Sequence, residues 1–243
     1  MAAQVAVFDI DGTLIRWQLY HALADQLVKM GLIDSFSFKT VQAARMNWKN
    51  RSFDESFKRY EMSLIDVFDD ALSGITDSNF EEACQTVFDT YKDQTYTFTR
   101  DLIKNFKREG RLMFAISGSP EYIVRLVAEY YGFTDFGATN YESLNGMLSG
   151  KKDLSINKKP ELLNRLLKKY GADLRKSIGI GDSEGDIPLL EMMDKAIAFN
   201  PSRKLFDHAT KESWQVVVER KNVIYELIPA NGNYTLKTLK QLL

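Results

Sequence analysis

The sequence has few cysteines, little net charge and no long apolar run, and each of these absences excludes a class of protein or of binding site. It contains one cysteine, Cys84, in 243 residues, which excludes an internal disulfide and a metal site built from several cysteines. Its net charge is −1 with acids and bases intermingled, so nothing favours nucleic acid or an anionic membrane surface as a partner. No apolar run approaches the ~20 residues of a membrane-spanning helix. We therefore expect a cytoplasmic protein that binds neither nucleic acid nor membrane.

The first apolar run, Val5–Phe8, predicts a strand buried on both faces at the centre of a parallel sheet. It ends on Asp9 and Asp11, whose side chains point the same way if the chain stays extended. Gly12 then allows a sharp bend, and Thr13 supplies a hydroxyl. Neighbouring carboxylates repel, so a divalent cation or a shared proton would have to compensate them. An acidic turn that caps a helix is the remaining alternative.

The rest of the chain separates into a helical block and an alternating region. Residues 17–94 indicate helices only, over Trp17–Met30, Phe36–Trp48, Phe53–Leu72 and a last helix ending at Tyr91. The later segments predict strands at Leu112–Ile116, Phe136–Thr139, Ser177–Ile180 and Ala196–Phe199, an Asn145-Gly146 hairpin, a helix starting at Ser117–Pro120, a helix over Ile187–Met193, an edge strand at Trp214–Val218 and a terminal amphipathic helix over Leu236–Leu243.

This alternation predicts an α/β fold with a Rossmann-like parallel sheet flanked by helices. The helical block interrupts that pattern directly after the first strand. We therefore expect an all-helical cap domain over residues 17–94, inserted into a core domain formed by residues 1–16 and 95–243.

Polar groups follow several predicted strands, at the carboxyl ends that meet along one edge of a parallel sheet. Besides the two acids of the first turn, these are Ser117-Gly118, Lys159 near a helix start, Asp182 and Asp186. Four carboxylates against one lysine leave an excess of negative charge, which predicts a bound cation, and oxygen ligands select Mg2+. Ser117 and Gly118 at a helix start could cradle a phosphate. Together these groups describe phosphoryl transfer through an aspartyl-phosphate.

In chain order these residues resemble the four motifs of the haloacid dehalogenase-like hydrolases: Asp9-Ile10-Asp11-Gly12-Thr13, Ser117-Gly118, Lys159 and Gly181-Asp182 with Asp186. The resemblance covers nearly the whole chain. The helical insert after the first motif looks like the cap of the phosphoserine-phosphatase-like branch (subfamily IB). Lys159 is chosen over Lys158 because its interval to Asp182 is typical of that branch.

The resemblance implies a role for each residue. Asp9 would attack phosphorus and bind Mg2+, and Asp11 would be the general acid and base, with its backbone carbonyl on the metal. Asp182 would be the remaining protein ligand to the metal, with Asp186 in or next to that ligand set. Thr13 would steady the nucleophile loop and, with Ser117 and Gly118, would bind phosphate. Lys159 would hold Asp9 and the phosphate together.

Three residues of the predicted cap are candidate substrate contacts: Gln18, Arg59 and Tyr60. Phosphoserine phosphatases carry a Glu after the first motif and an Arg in the cap, where this chain has Gln18 and, by a looser alignment, Tyr60. A neutral Gln and a Tyr make a poor clamp for a zwitterion, although Arg59 lies one position away. The sequence therefore disfavours phosphoserine and predicts a small phosphorylated metabolite as substrate.

The residues leave two other functions open besides a Mg2+-dependent phosphatase. The same site could serve a phosphotransferase or mutase. A regulator that forms aspartyl-phosphate without turning over is a further alternative, although an acid at position 11 disfavours it. The sequence does not predict the oligomeric state.

Overall fold

We describe the fold from a computed structural model of the chain, which describes residues 4–153, 158–230 and 233–241. The strands are β1 (Val5–Phe8), β2 (Leu112–Pro120), β3 (Asp135–Leu144), β4 (Met147–Asp153), β5 (Ile178–Gly181), β6 (Lys195–Phe199), β7 (Gln215–Arg220), β8 (Val223–Ala230) and β9 (Asn233–Gln241). The helices are α1 (Leu19–Lys29), α2 (Phe38–Lys49), α3 (Ser56–Leu72), α4 (Asp77–Tyr91), α5 (Thr97–Arg108), α6 (Glu121–Tyr131), α7 (Lys159–Tyr170), α8 (Ile187–Leu190) and α9 (Arg203–Lys211), with a 3-10 turn at Glu184–Asp186.

The chain forms two compact units. The first, here called the sheet unit, comprises Met1–Trp17, Tyr91–Thr139 and Leu154–Leu243. The second, the helical unit, comprises Gln18–Thr90 and Asn140–Asp153. The hairpin residues Asn140–Asp153 thus group with the helices, whereas the sequence analysis places them in the core domain. The assignment of a cap and a core domain stays a prediction.

In the sheet unit the strands run in the order β3-β2-β1-β5-β6-β7-β8-β9. The pairs from β3 to β7 are parallel, and β8 and β9 add antiparallel pairs. All four residues of β1 are fully buried, as a strand inside a parallel sheet requires. Leucines of α7 pack on β1 and β2, so this helix starts beside the carboxyl end of β1. The predicted α/β fold with a parallel sheet flanked by helices is confirmed.

The helical unit contains α1 to α4 and the hairpin formed by the second part of β3 with β4. Asn145 and Gly146 form its turn with φ of 54° and 79°, which is the left-handed conformation that a type I′ turn needs. The hairpin is bound to the helices by backbone hydrogen bonds, such as the one from Gly74 N–H to the Leu148 carbonyl, and by an ion pair between Lys152 and Asp69.

The predicted terminal helix over Leu236–Leu243 is wrong, because the structure has strand β9 there. Residues 242 and 243 lie outside the described residues. The pairing of β8 with β9 matches Tyr225 with Leu239 and Leu227 with Leu236, so Lys237 is an extra residue that forms a bulge. The bulge puts Leu236 and Leu239 on one face, a spacing of three that imitates a helix in the sequence.

Two smaller predictions also need correction, and one helix was missed. Trp214–Val218 is not an edge strand, because β7 pairs with β6 on one side and with β8 on the other. The helix predicted over Ile187–Met193 ends at Leu190. Helix α9 was not predicted, although Ser202 accepts a hydrogen bond from Leu205 N–H at its start. In the described part of the chain, no helix has the length and apolar character needed to cross a membrane.

Candidate active site

The carboxyl ends of three neighbouring strands of the sheet unit carry the predicted chemistry. The register matches Phe8 of β1 with Ala115 of β2 and with Ile180 of β5. The next residues along these strands therefore lie side by side, and Asp9 N–H donates to the Ile180 carbonyl at 3.0 Å. This register brings the side chains that follow β1, β2 and β5 to one edge of the sheet.

The turn after β1 is held closely. Gly12 has φ of 82°, which favours glycine, and Leu14 N–H donates back to the Ile10 carbonyl at 2.9 Å. Thr13 is fully buried, and its hydroxyl lies 3.5 Å from an oxygen of Asp182. The buried Thr99 donates its hydroxyl to the Thr13 carbonyl at 2.9 Å, so α5 also fixes this turn.

Lys159 joins two acids inside the site. Its Nζ donates to Asp9 Oδ1 at 2.8 Å and to Asp186 Oδ1 at 2.6 Å, and all three side chains are buried. Burial lowers the pKa of Lys159, but Asp186 and Asp9 outweigh it and the pKa is raised overall. Lys159 therefore keeps its charge and offsets one of the surrounding negative charges.

Asp186 is engaged on both of its oxygens. Besides the bond from Lys159, its Oδ2 accepts from Asp182 N–H at 3.2 Å and from Ser183 N–H and Oγ at 3.0 Å each. A Cβ on Gly181 would lie 2.6 Å from the Asp186 side chain, so only glycine fits beside it. This arrangement makes Asp186 the residue that orders the loop carrying Asp182.

The close approach of several carboxylates in the site favours a bound cation. Asp9, Asp182 and Asp186 each offer an oxygen, and these oxygens lie within 4.8 Å of one another. Burial, followed by the charges of Asp186 and Asp11, raises the pKa of Asp9 to about 7 against the lowering effect of Lys159. Burial and the charge of Asp9 likewise raise the pKa of Asp182.

One carboxylate oxygen of Asp9 also indicates that an ion or a ligand binds in the site. Its Oδ2 is buried and has no hydrogen-bond partner among the described residues. A buried carboxylate oxygen without a donor is unfavourable unless an ion or ligand reaches it. Three converging carboxylates fit a hard divalent cation such as Mg2+, and the open oxygen leaves room on Asp9 for a ligand beside that ion.

The end of β2 differs from the predicted helix start. Ser117 and Gly118 lie in the strand, which continues to Pro120 before α6 begins. Pro120 favours extended backbone at the residue before it, and the pairing with β3 shifts register between Ile116 and Pro120. This irregular stretch carries Ser117 to Asp11, where the serine hydroxyl donates to Oδ2 at 2.7 Å.

Ser119 is a site residue that the sequence analysis missed. It is buried, and its hydroxyl donates to the same Oδ2 of Asp11 at 2.9 Å. Its backbone N–H donates to Ser117 Oγ at 2.9 Å. The assignment of Ser117–Pro120 to a helix start concealed this second serine. The Gly118 carbonyl accepts from the Thr139 hydroxyl at 2.7 Å, which ties the segment to β3.

The three predicted substrate residues belong to the helical unit. Gln18 precedes α1 and is half-buried, and Arg59 is exposed with its guanidinium 5.1 Å from the centre of the Phe53 ring. Tyr60 is fully buried, stacks on Trp48 and accepts a hydrogen bond from Arg45 Nε at 2.9 Å. Tyr60 is thus a packed side chain of that unit, and a substrate contact would require it to leave this packing.

Comparison with known proteins adds independent findings. The family model described as haloacid dehalogenase-like hydrolase matches residues 6–191, which include every site residue above. The chain is 26% identical to a histidinol-phosphatase of Neisseria meningitidis serogroup C, over 88% of this chain and 97% of that protein. It is 25% identical to a phosphoserine phosphatase of Mycobacterium tuberculosis, over 51% of this chain but only 41% of that longer protein.

Solved structures share the fold. A protein of unknown function from Bordetella pertussis superimposes with a TM-score of 0.71 at 20% identity, covering 89% of this chain and 98% of that one. A phosphoserine phosphatase carrying a phospho-aspartyl intermediate analogue superimposes with a TM-score of 0.63 at 20% identity, covering 91% and 95%. At this identity the likeness establishes the fold.

Proposed function

Because this chain belongs to the haloacid dehalogenase-like hydrolase family and is one of its phosphatases, we propose that it hydrolyses a small phosphate monoester with Mg2+ through an aspartyl-phosphate on Asp9. The observation that carries the proposal is the carboxylate of Asp9. Lys159 fixes its Oδ1, while its buried Oδ2 has no hydrogen-bond partner among the described residues. A nucleophile held on one side and open on the other suits attack on a bound phosphate.

The reaction has two steps. A carboxylate oxygen of Asp9 forms a bond to phosphorus while the bond to the alcohol oxygen breaks, and Asp11 gives that oxygen a proton. Water then attacks the phosphorus of the aspartyl-phosphate, Asp11 takes a proton from the water, and inorganic phosphate leaves with Asp9 restored. General acid and base catalysis of this kind contributes ~10²–10⁴ in rate.

Mg2+, held by the carboxylates of Asp9 and Asp182 and by the Asp11 carbonyl, would neutralise charge on the phosphate and on the acids around it. Asp186 contributes by position, since its oxygens already accept from Lys159 and from the loop of Asp182. Lys159 adds the positive charge that keeps Asp9 ionised beside an incoming anion.

Phosphate binding falls to the groups around this centre. Ser117 and Gly118 at the end of β2 would donate to phosphate oxygens, and Thr13 would keep the nucleophile turn in place beside Asp182. Lys159 would counter the phosphate charge together with that of Asp9. These groups lie in the sheet unit: Ser117 and Gly118 in β2, Thr13 in the turn after β1, and Lys159 at the start of α7.

The substrate is proposed to be the phosphate ester of a primary alcohol. Two candidates come from the relatives, histidinol phosphate and phosphoserine, and both are esters of this type. We rank histidinol phosphate first, because the relative of that name matches over 97% of its length, whereas the phosphoserine phosphatase matches over 41%. The neutral side chain of Gln18 also disfavours phosphoserine, which is a zwitterion. Gln18 and Arg59 are the residues of the helical unit that we propose as substrate contacts.

The test is a screen of phosphorylated metabolites that includes histidinol phosphate and phosphoserine, with Mg2+ and with EDTA. We expect release of inorganic phosphate that EDTA abolishes and Mg2+ restores. Asp9→Asn should abolish turnover, whereas the control Asp173→Asn, an exposed aspartate paired with Arg175, should not change it. Full activity of Asp9→Asn would refute the nucleophile, and a strong preference for phosphoserine would refute the reading of Gln18.

A further inference from the structure

Two serine hydroxyls converge on one oxygen of the proposed acid. Ser117 Oγ lies 2.7 Å and Ser119 Oγ lies 2.9 Å from Asp11 Oδ2. Both serines are buried, with Ser117 fully inaccessible and Ser119 only 2% exposed. The two hydroxyls are therefore shielded from water, whereas Asp11 itself is half-buried.

These two hydroxyls are not equivalent once a phosphate binds. A serine hydroxyl carries a single proton, so Ser117 cannot donate to Asp11 and to a phosphate oxygen together. Ser117 is the serine proposed to bind phosphate, and its proton must then turn away from Asp11. Ser117 Oγ still accepts from Ser119 N–H at 2.9 Å, which keeps the two residues in register.

We propose that Ser119 is a positioning residue that holds the carboxyl group of Asp11 when Ser117 turns to the phosphate. The inference rests on the proposed function, in which Asp11 protonates the leaving oxygen as its bond to phosphorus breaks. A carboxyl group aimed by a buried hydroxyl delivers that proton at a fixed place. Without Ser119, Asp11 Oδ2 loses the hydroxyl that still donates to it while Ser117 donates to the phosphate.

This role predicts a dependence on the leaving group. A p-nitrophenolate leaves without a proton, whereas the alkoxide of a primary alcohol needs one. Ser119→Ala should therefore lower kcat/KM, which reports the steps up to departure of the leaving group, about tenfold or more for an alkyl phosphate and leave kcat/KM for p-nitrophenyl phosphate nearly unchanged. The alkyl probe is whichever of histidinol phosphate and phosphoserine the wild-type protein cleaves faster.

A matched control separates this effect from loss of a buried hydroxyl. Ser177 is also fully buried, precedes β5, and its Oγ accepts from Asp194 N–H at 3.0 Å, away from the proposed site residues. Ser177→Ala should give the same ratio of the two rates as the wild type. If Ser119→Ala lowers the thermal midpoint more than Ser177→Ala does, Ser119→Cys, similar in shape with a weaker donor, should show an intermediate leaving-group effect.

Inorganic phosphate as a competitive inhibitor gives a second readout. Ser117→Ala should weaken inhibition by phosphate, and Ser119→Ala should leave it unchanged. Equal loss of kcat/KM for both substrates in Ser119→Ala, no loss for either, or phosphate inhibition as weak as in Ser117→Ala would overturn the inference. The kcat/KM of Asp11→Asn is measured alongside. If its kcat/KM shows no dependence on the leaving group, the proposed function is wrong, and if it does while that of Ser119→Ala does not, only the role of Ser119 is wrong.

Discussion

Replacing Lys159 by Met removes the ammonium group that donates to both Asp9 and Asp186. Its Nζ lies 2.8 Å and 2.6 Å from their oxygens, and its side chain is 4% exposed. Methionine keeps a similar length and leaves two buried carboxylates without their counter-charge. Removing one partner of a buried ion pair destabilises a protein by about 3–5 kcal/mol.

Urea-induced unfolding without divalent cations measures this effect. With a slope of about 2–3 kcal/mol per molar urea, the midpoint should fall by roughly 1–2 M at pH 8. The loss should shrink at pH 5, because Asp9, with a pKa of about 7 in the folded protein, is then protonated with or without the lysine and its charge no longer depends on Lys159. Lys169→Met is the control, since Lys169 forms an exposed ion pair with Asp135 and its loss should hardly change the midpoint.

Two results would refute this reasoning. A Lys159→Met midpoint as high as that of Lys169→Met would mean that the acids do not depend on the lysine. An equal loss at pH 5 and pH 8 would mean that the effect comes from packing and not from charge. Mg2+ added at pH 8 should recover part of the lost stability, because it supplies positive charge at the same carboxylates.

Three further predictions concern the site and the sheet unit. The folded, metal-free protein holds a proton on Asp9 up to about pH 7 that the unfolded chain loses near pH 4, so the free energy of unfolding should fall by at most about 4 kcal/mol as pH rises through that window; thermal midpoints at pH 5 and pH 8 test this, and Mg2+ should cancel most of the fall. Gly181→Ala should cost about 1–3 kcal/mol in urea unfolding and lower kcat, because its Cβ would lie 2.6 Å from Asp186, and normal kcat would contradict the assigned role of that loop. Glu219→Ala should cost about 1–3 kcal/mol, because Glu219 accepts from Arg16 and from the first backbone N–H groups of α5; a midpoint unchanged from wild type would show that this buried cap is dispensable.

Much of the site could be predicted from the sequence because parallel strands put their carboxyl ends on one edge. The apolar run of β1, ending on two acids, was sufficient to place Asp9 and Asp11 at that edge. The later strands placed Ser117 and Asp182 beside them, and the order of the motifs selected Lys159. The predicted family and the α/β fold are confirmed, while the individual roles of these residues stay predictions.

The rest depended on contacts that a single sequence does not display. Ser119 was missed because the sequence Ser117–Pro120 resembles a helix start, whereas strand β2, paired with β3 at Ile116 and at Pro120, continues through it. The helix predicted over Leu236–Leu243 failed because a bulge at Lys237 places leucines three residues apart on one face of a strand. In both cases pairing with a neighbouring strand decided the backbone, and the local pattern did not.

The helical unit is the region where prediction of function was weakest. Its helices follow from apolar spacing, yet that spacing does not tell aromatic residues that pack from aromatic residues that bind a substrate. Tyr60, proposed as a substrate contact, is buried against Trp48 and bound by Arg45. The hairpin Asn140–Asp153 joins this unit from a distant part of the sequence, through bonds that local periodicity does not reveal. The cytoplasmic location and the lack of a nucleic-acid partner also stay predictions.

The most direct test of the mechanism is the position of the phosphoryl group during turnover. Asp11→Asn lacks the base that activates water, so p-nitrophenyl phosphate, whose leaving group needs no acid, should load the protein with phosphate that is released slowly. Acid quenching, proteolysis and mass spectrometry should then find one phosphoryl group on Asp9, removable by hydroxylamine. A phosphoryl group on another residue, or steady release of phosphate with no covalent protein species, would contradict the account.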